Sequence, residues 1–500
     1  MWDSAQVRFE RAIALDSTFA LAYHRLAAIR QWRDPNDFPD SAAYDLMRRT
    51  SRFASGLGPR ERLLARIDSL SAEAFFAWRR GLQDARNYND EQTVGERLIA
   101  AIGDGLLRYR HDPELLFLLA EARSRYDRDL LEGEIDDREI LGLYDHAIRM
   151  DSSFAPAYVT PIALAAYLDG AASARRYIHA YLALEPPGSY SQVIHLADLL
   201  LDPSRGLSID MDRLVDTLPA SGLCEAATLL RHVPDAPEML VRIARSLANR
   251  PERLGGVVAE PGCALTHATD GLQFRGHLRE AQRLTSTQAH WLGPSVMFNL
   301  AQVGMVPADT ARAEFARIRS LAPRIRMTKL YRWWAMDGDT TAIQEYIDGF
   351  GAATTTLRSS SGASMLRASV AAGRAYLALA KHDTTAALRQ FMTTPDSLHE
   401  CWYDSRLTTV QLLVATGRYR EAGTRLERRW PGNSGCSNGF DDVMWTLQRG
   451  RVFELLGRSR EAMENYAFVA DAWRTADAEL QPYVRESRVA VDRIKARSRR

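Results

Sequence analysis

One short motif recurs along this chain and restricts what it can fold into. Gly276-His277-Leu278-Arg279-Glu280-Ala281 returns as Gly417-Arg418-Tyr419-Arg420-Glu421-Ala422 and again as Gly457-Arg458-Ser459-Arg460-Glu461-Ala462. Gly338-Asp339-Thr340-Thr341-Ala342 is a looser copy. On both sides, apolar residues follow the i, i+3, i+4, i+7 spacing of amphipathic helices. Glycine takes the left-handed backbone conformation without a Cβ clash and so ends the first helix. The small alanine lets the second helix cross the first closely. Each copy therefore encodes a helix–turn–helix hairpin.

A second signature joins one hairpin to the next. Ala14-Leu15-Asp16-Ser17-Thr18-Phe19-Ala20-Leu21-Ala22-Tyr23 matches Arg149-Met150-Asp151-Ser152-Ser153-Phe154-Ala155-Pro156-Ala157-Tyr158. In both, Asp or Ser is expected to cap the incoming helix. The Phe is expected to pack under the turn, and the Tyr to open the next apolar stripe. Alternating β-branched runs are almost absent, so the expected fold is all-α. Roughly 20 to 26 antiparallel helices should stack in pairs.

These residues resemble tetratricopeptide repeats, whose unit is about 34 residues long. That family carries W-x2-L-G-x2-Y on the first helix, then A-x3-F-x2-A and Pro on the second. Ala5, Phe9 and Ala12 fill second-helix positions here, and Tyr23, Leu26 and Ala27 the aromatic, Leu and Gly slots of the next unit. Ala174, Ile178, Tyr181 and Pro186 form another second helix. Gly450 and Phe453, followed by Ala462, Tyr466 and Val469, form a further unit. The resemblance implies a right-handed α-solenoid of TPR-like helix–turn–helix repeats, with first helices lining a concave groove. Helices starting near Leu21, Ala157, Asp404 and Met444 are the groove candidates. The pattern is weakest around Pro186-Pro187-Gly188, Asp202-Pro203 and Gly255-Gly256. The expected organisation is an N-terminal TPR-like solenoid over 1–186, a degenerate helical linker or repeat region over 187–262, and a C-terminal TPR-like solenoid over 263–500.

Charge and composition exclude several classes. The 64 basic and 63 acidic residues of the 500 nearly cancel, so no global field draws in nucleic acid or an anionic membrane. Only Lys329, Lys381 and Lys495 are lysines; the arginine bias reads as codon usage in a GC-rich genome. A hydrophobic content of 46% with 25% charged residues is that of a globular chain, not a disordered one. No run approaches the roughly 18 apolar residues of a membrane span. The start, Met1 to Glu10, carries charge from Asp3 and has no apolar signal core. A cytoplasmic location is expected, or an extracytoplasmic one if the chain is a fragment of a membrane-anchored kinase.

Motifs for chemistry are mostly lacking. Cys224, Cys263, Cys401 and Cys436 form no CxxC pair. Cys401 and Cys436 could face each other from stacked units, which in an oxidising compartment needs Cα atoms within about 7 Å. Gly435-Cys436-Ser437-Asn438-Gly439 satisfies G-x-S-x-G but follows Trp430-Pro431-Gly432, a loop and not a strand. Gly349-Phe350-Gly351 lacks the βαβ context of a dinucleotide loop. His399-Glu400-Cys401 places three metal-ligand types together, too close in sequence to converge without a bend. Tyr331, Trp333, Trp334 and Tyr346 read as core packing before they read as a ligand cage. The stretch Asp127 to Glu139 reads as a long charged loop, a candidate acidic contact at a groove edge. The C-terminus, with Arg493, Lys495, Arg497, Arg499 and Arg500, reads as a polar capping helix. No catalytic, cofactor-binding or metal-ligating set emerges, and no cofactor is expected.

A second resemblance spans nearly the whole chain. Phe9 to Ala20, Trp333 to Thr340, Pro395 to Leu398 and Val469 to Val484 are similar to the helical C-terminal region behind eukaryotic-like serine/threonine kinase domains of soil bacteria. The kinase motifs are not in this sequence, so the resemblance implies a sensor or scaffold region. The expected function is a non-catalytic protein–protein interaction scaffold or sensor/regulatory module. It would bind a peptide or partner domain in a concave groove, with no nucleic acid and no membrane span. The alternative is a detached regulatory tail of a kinase, cyclase or transcriptional regulator. A third reading is an enzyme with a site in 187–262, where Cys224, His232, Cys263 and His267 could gather. Because Asp3 to Leu15 reads as a second helix without its first, Val7, Phe9, Ala12 and Ile13 are expected to be partly uncovered. A preceding segment or a partner helix would complete that unit.

Overall fold

The computed structural model describes residues 2–33, 41–83, 88–126, 137–185, 189–202, 208, 210–218, 223, 226–227, 237–250, 260–286, 293–321, 329–354, 360–393, 403–427 and 439–498. These hold 25 α-helices and a few short 3-10 turns, with no strand among the described residues. The chain divides into two compact units. The first comprises residues 1–239, 252–265 and 357–363; the second comprises 240–251, 266–356 and 364–500.

The helices run in chain order as α1 (Trp2–Leu15), α2 (Ala20–Arg33), α3 (Ser41–Arg52), α4 (Pro59–Gln83), α5 (Tyr88–Arg108), α6 (Pro113–Tyr126), α7 (Asp137–Met150), α8 (Val159–Asp169), α9 (Ala171–Ala183), α10 (Ser189–Leu200) and α11 (Met211–Thr217). From α1 to α10, each helix packs on the next. The first unit's core is a relay. One apolar cluster joins α4, α5 and α6 through Leu64, Leu98 and Leu115. A second joins α6, α7 and α8 through Phe117, Tyr144 and Leu164. A third joins α8, α9 and α10 through Ile162, Ile178 and Ile194. Each cluster shares a helix with its neighbour, which is how a stack of hairpins propagates one core. Along α1, Phe9, Ala12 and Ile13 are half-buried, whereas Val7 is 61% and Leu15 81% exposed.

The linking signature folds alike in both copies, though not in the expected way. Asp16 accepts from the backbone N–H and hydroxyl of Thr18, and Asp151 does the same with Ser153. These acids make a side-chain turn inside the connection and do not cap the next helix. The tyrosine hydroxyls reach back, Tyr23 to the Ser17 carbonyl and Tyr158 to that of Ser152, at 3.1 and 2.9 Å. Phe154 packs edge-on against Phe117, but Phe19 remains exposed.

The helices α12 (Pro237–Ala248), α13 (Glu260–Phe274), α14 (Leu278–Ser286), α15 (Gly293–Gln302), α16 (Ala308–Leu321), α17 (Lys329–Asp337), α18 (Thr340–Thr354), α19 (Ser360–Ala380), α20 (Thr384–Thr393), α21 (Tyr403–Ala415), α22 (Tyr419–Glu427), α23 (Phe440–Leu455), α24 (Ser459–Ala472) and α25 (Gln481–Ser498) follow. Six hairpin turns here share one geometry. Gly276, Gly304, Gly338, His382, Gly417 and Gly457 all have φ between 61 and 75°. In each, the next residue's N–H bonds to a carbonyl five positions back: His277 to Leu272, Met305 to Leu300, Asp339 to Trp334, Asp383 to Ala378, Arg418 to Leu413 and Arg458 to Phe453. This closure satisfies carbonyls that the helix end leaves open. The motif alanines Ala281, Ala342, Ala422 and Ala462 are buried, as close helix crossing requires. Gly450 similarly makes room for the Tyr466 ring.

First and second helices of these hairpins differ in environment. First helices touch one another: α15 meets α17, α17 meets α21, and α21 meets α23. α21 and α23 are buried on nearly every side, whereas α22 is exposed along about half its length. Among the described residues, no helix is long and apolar enough to cross a membrane.

Candidate functional site

A dense polar constellation lies in the first unit, where three helices converge. α2 supplies His24 and Arg25, α4 supplies Arg60 and Asp68, and the start of α6 supplies Asp112 and Glu114. His24 Nδ1 lies 2.8 Å from Asp68 Oδ2, and its Nε2 lies 3.4 Å from Glu114 Oε1. The second contact is an ion pair without hydrogen-bond geometry. Arg25 donates to Glu114 at 2.7 Å. Arg60 bridges Asp112 at 2.6 Å and Glu114 at 2.9 Å. Asp112 also caps α6 by accepting from the Leu115 N–H at 3.1 Å.

Three cations face three anions, and the pairing governs their protonation. Burial alone would push the His24 imidazole down, but Asp68 and Glu114 overcome it and raise it to about 9. Burial pushes Glu114 up, yet His24 and Arg25 hold it at about 2. Asp68 is raised, because its burial outweighs the help it receives from His24 and Thr50. A histidine beside a carboxylate has the outline of an acid–base pair. Here the imidazole is committed to two carboxylates, and His24 is buried. The constellation works as a charge-balanced pin across α2, α4 and α6.

The second polar concentration lines the first helices of the second unit. Thr269, Gln273, Asn299, Arg332, Ser369, Arg406, Thr409, Asp441 and Gln448 are all buried. The Asn299 side chain donates to Gln273 at 2.8 Å, joining α13 to α15. The Tyr376 hydroxyl meets Thr408 at 3.0 Å, joining α19 to α21. Arg332 lies over the Phe298 ring at 6.0 Å. A layer built from apolar stripes alone would not place guanidinium and amide groups at these positions, since burying them costs free energy unless they are paired.

The positions singled out from sequence fall as follows. Tyr331, Trp333, Trp334 and Tyr346 are buried; Trp334 meets Tyr346 edge-on at 4.8 Å and Trp333 meets Phe315 at a tilt at 5.3 Å, all in the core. Gly349 and Gly351 sit within α18, not in a loop. His267 lies 3.9 Å from Asp270, while Cys224 and His232 lie outside the described residues, as does the side chain of Cys263. Cys401, Cys436, His399 and Glu400 also lie outside them, as do residues 127–136 and 435–438. The remainder of the charged stretch, Asp137 to Glu139, forms the first turn of α7, where Arg138 pairs with Asp169 and Glu139 with Arg123. In the basic tail, Arg493 and Arg497 both pair with Glu454. Among the described residues, no cluster of three or more His, Cys, Asp or Glu could hold a metal ion.

Sequence reasoning missed the His24 constellation. Its one signal is a charged residue at a stripe position, Asp68 among Leu64, Ile67 and Leu70. No family model matches the chain, and no curated protein matches it.

Proposed function

We propose that this chain is a non-catalytic binding scaffold, a right-handed array of tetratricopeptide-like repeats that captures an extended acidic segment of a partner protein. Its recognition face is the inner layer of the second unit, with Arg332 on α17 and Arg406 on α21 as the cationic contacts. The observation that carries this reading is the buried polar character of those first helices, on two that adjoin. Arginine suits the role because its planar fork matches a carboxylate in two parallel hydrogen bonds.

The test is a screen of the purified chain against acidic and charge-scrambled peptides by fluorescence anisotropy. Acidic peptides should bind in the micromolar range, and Arg332→Gln with Arg406→Gln should weaken them by at least about tenfold with unchanged helicity. Equal binding of scrambled and acidic peptides, or indifference to both substitutions, contradicts the proposal.

A further inference from the structure

The second unit does not end as an open array does. In a solenoid each repeat touches only its neighbours. Here the last turn before α25 lies on the first hairpin, α13–α14. The Asp477 N–H donates to the Gly276 carbonyl at 3.0 Å. The Asp477 carboxylate accepts from the Arg279 N–H at 3.1 Å, and Glu479 pairs with the Arg279 guanidinium. Phe274 meets Phe468 edge-on at 5.8 Å. Trp473 and Leu480 are fully buried beneath Gly276, where an added Cβ would fall 2.5 Å from that of Ala476.

Comparison with the sibling turns shows what Asp477 replaces. After Gly338, Asp339 caps α18 by accepting from Ala342; after His382, Asp383 caps α20 by accepting from Ala386. After Gly276 the corresponding residue is His277, and the carboxylate at the start of α14 comes from Asp477 instead. The turn glycines Gly304, Gly338, Gly417 and Gly457 have open space where a Cβ would stand. Gly276 alone among these five turns is covered.

We propose that residues 473–480 are a clasp that closes the second unit on itself, and that its release is the step that frees the inner layer for a partner. The clasp supplies a carboxylate at the start of α14, the acidic partner for Arg279 and the apolar plug over Gly276. Its chemistry also defines the competitor: a segment with Asp, then Glu two residues on, then Leu. The regulatory half of this inference rests on the function proposed above; the clasp itself does not.

Hydrogen exchange of the full chain separates the two. Asp477→Ala should speed exchange in residues 266–286 by about tenfold, the effect of losing a helix cap and its seam, and leave residues 384–427 unchanged. Arg279→Glu should do the same, and Arg279→Glu combined with Glu479→Arg should restore most of the protection. A uniform rise over the whole unit, no rise at all, or no recovery in the charge swap overturns the clasp. Where the clasp behaves as stated, Asp477→Ala should also bind acidic peptides more tightly than the natural chain does, because more molecules are open. Local opening with no gain in peptide binding retains the clasp and overturns its regulatory role.

Discussion

The imidazole of His24 lies 2.8 Å from the Asp68 carboxylate, and both side chains are buried between α2 and α4. Removing one partner of such a pair strands the other. His24→Ala should therefore lower the stability of the first unit by about 3–5 kcal/mol, read by urea denaturation, whereas a paired apolar replacement, His24→Leu with Asp68→Leu, should cost less.

The same pair sets a pH dependence. The folded value of His24 is raised from 6.5 to about 9, so its contribution is complete below pH 6.5 and lost as pH rises through 9. Glu114 is lowered from 4.5 to about 2, so its contribution is present above pH 4.5 and lost as pH falls through 2. The denaturation midpoint of the natural chain should fall between pH 6.5 and 9.5, beyond any fall in His24→Gln. A pH response identical in the two proteins would refute the assignment.

The turn glycines should rank by what surrounds them. Gly417→Ala and Gly457→Ala meet open space, so each should cost only the left-handed backbone strain, about 1–2 kcal/mol. Gly276→Ala adds a clash with Ala476 and should cost clearly more. Thermal denaturation of the three variants gives the order.

Tyr23→Phe and Tyr158→Phe each remove one hydroxyl–carbonyl hydrogen bond from equivalent turns. Each should destabilise by about 1 kcal/mol, and the double variant by their sum. A negligible effect at either position would show that the hydroxyl is equally well served by water.

What the sequence discloses here is local. The Gly-x-x-Arg-Glu-Ala turns are legible because one left-handed residue and one small residue fix a hairpin without reference to anything distant. The Asp16 and Asp151 turns are legible as repeats but their hydrogen bonds are not, because an acid before a helix can serve the connection as easily as the helix end. His24, Asp68 and Glu114 stand on three different helices, and no spacing rule pairs them. Asp477 and Gly276 lie further apart still, and a reading built on nearest-neighbour repeats has no term for their contact. The buried polar groups of the first helices are hidden for a related reason: Arg332 and Arg406 look like solvated helix positions in the sequence, yet both are buried in the fold.

The central claim is that recognition belongs to the inner helices of the second unit, and photo-crosslinking tests it most directly. A benzophenone side chain replaces either Gln411, half-buried on α21, or Arg420, exposed on α22. Each protein is irradiated with a bound acidic peptide, and the adduct is quantified by mass. An adduct is expected from position 411 and little from position 420. Efficient crosslinking from 420 with none from 411 would contradict it.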